Sequence, residues 1–87
     1  MSMKAVYVDR VRRFSLDIDE ATGRTFVSIP VRNRWVTYDE WYEVDNETFE
    51  KYVADPSLAH PMVEQARGRE IDHLLLLQPG TDRGLPD

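Results

Sequence analysis

Residues 14–19, Phe-Ser-Leu-Asp-Ile-Asp, and 24–31, Arg-Thr-Phe-Val-Ser-Ile-Pro-Val, decide the fold. Phe14, Leu16 and Ile18 alternate with Ser15, Asp17 and Asp19, the period-2 pattern of a half-buried strand. Val27, Ile29 and Val31 alternate with Ser28 and Pro30 in the same way. Between the two runs lies Glu20-Ala21-Thr22-Gly23, a four-residue loop with a glycine for a positive φ. Setting Asp19 against Arg24 places Ile18 opposite Thr25, Leu16 opposite Val27 and Phe14 opposite Ile29. The apolar partners then share one face, and a slip of one residue would scramble them. The same register continued outward sets Arg13 against Pro30, Val11 against Arg32, Asp9 against Arg34 and Tyr7 against Val36. It implies one strand that bends near residues 9–13.

Residues 35–52 supply the next elements. They hold six of the nine aromatic residues and six of the sixteen carboxylates. Val36, Tyr38, Tyr42 and Val44 share one strand parity, broken by Glu40. Trp35, Asp39, Trp41, Glu43 and Asp45 share the other. One parity suits the core and the other suits water. Asp45 or Asn46 is placed to cap a helix over Glu47–Ala54, with Phe49, Tyr52 and Val53 on one stripe and Asp55-Pro56 ending it. A second helix has Pro61 in its first turn and Gly68 just past its end, and a short helical turn near Leu58 precedes it. Ile71 to Gln78, with four consecutive leucines, suits a buried strand returning to the sheet interior.

The expected fold is therefore α+β. A mainly antiparallel sheet of about four strands, in the order β-β-β-α-α-β, carries two short helices on one face. Residues 1–78 form a single domain. Residues 79–87, with two prolines and two glycines, are expected to be a disordered tail.

Composition narrows the function. Cysteine is absent, which excludes disulfides and thiolate metal sites. The N-terminal residues lack the apolar run of a signal peptide, and the longest apolar run is four leucines. A cytoplasmic protein with no membrane partner is expected. The net charge of −5 disfavours non-specific binding to nucleic acid. It is unevenly spread: residues 1–34 carry seven Lys/Arg against four Asp/Glu, and residues 35–87 carry four against twelve.

No nucleophile elbow, zinc-protease, dinucleotide or phosphate-loop motif is present. His60 and His73 stand thirteen residues apart and do not form a metal-ligand pattern. Neither a cofactor nor a metal is expected. Tyr38 and Tyr42 are assigned to the core, whereas Trp35 and Trp41 fall on the wet parity. Exposed tryptophans surrounded by charge are typical of interface hot spots. The expected function is a small acidic protein-binding module without catalytic activity, with Trp35, Trp41, Asp39 and Glu43 as contact residues. Specific forms of it are an immunity or antitoxin-like protein that blocks a basic partner, or a homodimer joined through a sheet edge. The alternative is a nucleic-acid-binding accessory protein using Arg13, Arg32 and Arg34 on one hairpin face, with stacking aromatics nearby. A small enzyme built around a histidine is the third.

Overall fold

A computed structural model describes residues 2–80 and 83–87. It shows an antiparallel sheet with two helices, the α+β class expected from the pattern. Five strands are present: β1 (Met3–Asp9), β2 (Phe14–Asp19), β3 (Thr25–Arg32), β4 (Thr37–Val44) and β5 (Leu85–Pro86). The first four lie side by side in chain order, and β5 pairs with the end of β3. Helices α1 (Asn46–Ala54) and α2 (His60–Arg67) follow β4, joined by a 3-10 turn over Pro56–Ala59.

The β2–β3 register is the expected one, with Ser15 opposite Ser28, Leu16 opposite Val27 and Ile18 opposite Thr25. Gly23 takes the positive φ, at 77°. The outward continuation is different. The chain does not run on from β2 as one bent strand; it turns back over residues 10–13, and Tyr7 pairs with Leu16 instead of Val36. The cause is local. The Asp9 carboxylate accepts hydrogen bonds from the backbone N–H groups of Val11 (3.0 Å) and Arg12 (2.8 Å), an Asx turn. Arg13 then closes the hairpin in the left-handed region, at φ 61°. A β-bulge between Ala5 and Tyr7 interrupts the edge strand.

One face of the sheet holds the core. Phe14, Leu16, Val27, Ile29, Val31 and Tyr42 meet Phe49 from α1, Ala59, and Met62, Val63 and Ala66 from α2. Asp45 caps α1 by accepting from the Thr48 N–H at 2.7 Å. Gly68 follows α2 but has an ordinary φ of −84°; the left-handed residue is Arg69, at 58°.

The leucine run corrects the expected element order. It is not a strand in the sheet interior. Asp72–Leu74 form a 3-10 turn, and only Leu75 bridges to Tyr42, on the outer edge of β4. Both sides of β3 are already taken by β2 and β4, so no interior position is open. Ile71 and Leu75 close the rim of the core, whereas Leu77 points to solvent.

Residues 83–87 are docked, contrary to the expected free tail; Thr81 and Asp82 lie outside the described residues. The anchor is Arg83. Its guanidinium donates to Glu40 through Nε (2.9 Å) and Nη2 (3.0 Å), and to Asp72 through Nη1 (2.6 Å) and Nη2 (3.0 Å). Glu40, the charge on the core parity of β4, is buried and also accepts from the Tyr42 hydroxyl at 2.9 Å. Gly84 follows, with its N–H donated to the Tyr38 hydroxyl at 3.0 Å. A Cβ at Gly84 would stand 2.3 Å from the Arg32 carbonyl, so only glycine permits this approach. Leu85 then pairs with Arg32, and Pro86 with Val31.

Glu40 is buried while Arg83 is partly exposed, so removing the arginine strands the carboxylate at the lower end of the roughly 3–5 kcal/mol known for fully buried pairs. Arg83→Met is expected to destabilise the fold by about 3 kcal/mol in urea unfolding, and the double variant Arg83→Met/Glu40→Met to recover much of the loss. Gly84→Ala is expected to release residues 85–87, read as faster amide exchange at Asp87, whose N–H is bonded to the Pro30 carbonyl.

Candidate interaction surfaces

The helices cover one face of the sheet, and the other carries Trp41. Across the four strands Val8, Ser15, Ser28 and Trp41 stand in one row, with Asp17, Phe26 and Glu43 in the next. Their polar atoms satisfy one another. The Trp41 indole Nε1 donates to Asp17 Oδ2 at 2.8 Å, the Ser15 hydroxyl donates to Asp17 Oδ1 at 2.9 Å, and the Ser15 and Ser28 hydroxyls are 2.5 Å apart. Glu43 holds Arg24 through Nε at 2.9 Å, and the Arg24 guanidinium lies over the Phe26 ring at 5.6 Å. This bond keeps the Glu43 carboxyl below the usual range and the Arg24 guanidinium above its own.

Asp39 is the exception on this face. It sits opposite Pro30, exposed at the rim, and its carboxyl is raised by partial desolvation and by the charge of Asp17. It forms one wall of a cleft of about 360 Å³ floored by Ser15, Ser28 and Pro30, with Arg10 and Arg13 on the opposite wall.

The second surface is an end of the sheet. The β1–β2 and β3–β4 connections lie at the same end and bear Arg10, Arg12, Arg13, Arg32 and Arg34. Trp35 belongs to the β3–β4 turn and not to β4, and is 73% exposed. The turn is held by Asn33, whose Oδ1 accepts from the N–H groups of Trp35 and Val36, both at 2.8 Å. The Arg34 guanidinium stands over the indole at 5.6 Å. A cleft of about 630 Å³ runs between this turn and Gly84–Leu85.

The structure thus separates residues that the strand pattern grouped. Trp41, Asp39 and Glu43 share the face away from the helices, whose centre is buried at Asp17, Phe26 and Ser28, and Trp35 sits at the arginine end. Trp41 is half-buried and bonded, and Glu43 is paired with Arg24. Arg13, Arg32 and Arg34 share an end of the sheet and not the face of one long hairpin, because the chain turns at residues 10–13. Arg83 and Arg24 were invisible as site-shaping residues, although the odd placement of Glu40 signalled a hidden cation. His60 packs edge-on against Phe14, and His73 is exposed on the 3-10 turn. Among the described residues no group of three or more His, Asp or Glu side chains is arranged to hold a metal ion. No helix among them is long and apolar enough to cross a membrane.

These carboxylates set a pH response. Hydrogen bonds hold Asp72 (from Arg83), Glu43 (from Arg24), Asp45 (from the Thr48 N–H) and Asp19 (from the Ser2 N–H) below their ordinary values. A depressed carboxyl stabilises the fold above its unfolded pKa of about 4, and that contribution is lost as pH falls through the folded value. The melting temperature is therefore expected to fall below about pH 4. Asp39 has the opposite sign. Its raised pKa makes the ionised form costly near neutrality, so Asp39→Asn is expected to raise the melting temperature at pH 7. The gain should vanish below about pH 4, where the wild-type carboxyl is protonated in both states.

Comparison with known proteins finds no matching family model, no matching curated protein and no matching solved structure.

Proposed function

We propose that this chain is a small protein-binding module that acts through its surface and not by catalysis. The observation that carries this reading is Trp35: a large indole, 73% exposed, fixed in a turn by Asn33 and flanked by Arg32 and Arg34. Tryptophan and arginine dominate binding energy at protein interfaces, and a rigid turn lowers the ordering cost on association. The face away from the helices adds Trp41 and Asp39. Asp39 carries an electrostatic cost that folding does not require, and such costs concentrate where a partner relieves them. Of the four contact residues expected from the pattern, Trp35 and Asp39 are exposed, Trp41 is half-buried with its indole N–H bonded to Asp17, and Glu43 serves the sheet through Arg24.

Affinity capture from cells that express the protein tests this reading. A protein retained by the wild-type chain is expected to be lost from Trp35→Ala, with Val53→Ala, on α1, as the matched surface control. Equal retention by wild type and both Trp35→Ala and Asp39→Lys, with both variants folded, would contradict it.

A further inference from the structure

The arginine end has a chemistry that names its partner. Five arginines stand at this end of the sheet, Arg10, Arg12 and Arg13 in the first turn and Arg32 and Arg34 at the end of β3 and in the second, and the only ion pair any of them makes to a described residue is Arg13 Nη2 to Asp87 Oδ2, at 2.7 Å. Asp9, Asp39 and Asp87 stand at the same end, so its surplus is +2 against −7 on the rest, a weakly cationic end on an acidic body. Its apolar anchors are exposed beside the charges: Val11 (90%), Trp35 (73%) and Leu85 (69%).

We infer that this end binds an extended acidic segment of a partner protein, with carboxylates on Arg32 and Arg34 and an apolar side chain between Trp35 and Leu85. This inference rests on the protein-binding reading and specifies its partner. The chain itself supplies the template. Leu85-Pro86-Asp87 is an extended acidic segment already docked here. Its backbone pairs with Val31 and Arg32, and the Asp87 N–H donates to the Pro30 carbonyl at 3.0 Å. Its carboxylate rests on Arg13. Backbone pairing for affinity and side-chain pockets for selectivity are the general mode of strand addition.

The remaining cleft, between the 33–36 turn and Gly84–Leu85, offers Arg32 and Arg34 in place of Arg13; the Arg32 backbone is already paired with Thr37 and Leu85, so a segment there is held by side chains. All five cations are arginine, the residue whose planar fork matches a carboxylate bidentately and which is enriched at protein interfaces. A short acidic segment fits within this end. A nucleic-acid strand would extend from it over the acidic body, and an anionic bilayer would face the same repulsion.

The test is fluorescence anisotropy with the full chain and four probes. These are a labelled decapeptide of alternating Asp/Glu and Leu, its Lys counterpart, oligo(dT) of the same length, and phosphatidylserine vesicles. The acidic peptide is expected to bind at low ionic strength and to weaken as salt rises. Arg32→Glu/Arg34→Glu and, separately, Trp35→Ala are each expected to weaken it about tenfold or more. Arg32→Lys/Arg34→Lys keeps the charge and is expected to recover only part of the affinity, because the bidentate geometry is lost. Asp87→Asn frees Arg13 and is expected to tighten binding. Melting temperatures confirm that each variant is folded. Absent peptide binding, equal binding by the charge-reversed variant, or tighter binding of oligo(dT) or vesicles would overturn the inference. If partner capture still depends on Trp35 while the acidic peptide fails to bind, the acidic chemistry falls and the protein-binding reading stands.

Discussion

One partly buried guanidinium organises this molecule. Arg83 reaches back forty-three residues to Glu40 and also binds Asp72, so a single side chain ties the fourth strand, the turn after α2 and the last segment together. Glu40 occupies a core position, and an isolated carboxylate there would cost several kcal/mol. With Arg83 beside it, the charge is neutralised and each guanidinium nitrogen has an acceptor. Burial drives the Tyr42 hydroxyl upward in pKa first, and its hydrogen bond to Glu40 reinforces the shift, so the phenol stays a neutral donor to that carboxylate. Hydrogen bonds to Asp72 and then Glu40 raise the arginine, which remains charged under all conditions in which the fold persists. The cluster is a specificity device: it admits only the arrangement in which residue 83 arrives at β4.

That constraint has a consequence for the surface. Once Arg83 is seated and Gly84 lies against the Arg32 carbonyl, residues 85–87 must run along the end of β3. They occupy the line that β2 leaves empty after the chain turns at residues 10–13. The arginine end is thus assembled from three separated stretches, the two turns and the last strand. The opposite face of the sheet is handled differently. No helix covers it, and its central polar groups close on one another through Asp17, Ser15, Ser28 and the Trp41 indole. Asp17, Phe26 and Ser28 at its centre are buried nonetheless, and Asp39 stays exposed at its rim.

Local patterns carried the β2–β3 hairpin, the start of α1, the stop at Asp55-Pro56 and the core assignments of Leu16, Val27, Ile29, Tyr42 and Phe49. In each case the information lies within a few residues: strand parity, a cap, or a proline. The leucine run misled because four apolar residues in a row fit either a buried strand or a rim that closes a core. Only the count of open sheet edges separates the two. The 9–13 stretch misled because strand pairing and an Asx turn compete there, and two backbone hydrogen bonds to Asp9 decide for the turn.

By itself, then, the sequence determined the α+β class, the hairpin register and the separation of Tyr42 and Phe49 from the two tryptophans, because these follow from periodicity and local hydrogen bonding. The tertiary structure alone decided where the charges meet. That Glu40 is partnered by Arg83 and that Trp41 is tied to Asp17 are contacts between residues far apart in the chain, whereas Trp35 meets Arg34, its neighbour in sequence. Electrostatic pairing depends on distance in space, and no local pattern encodes which distant charge will arrive.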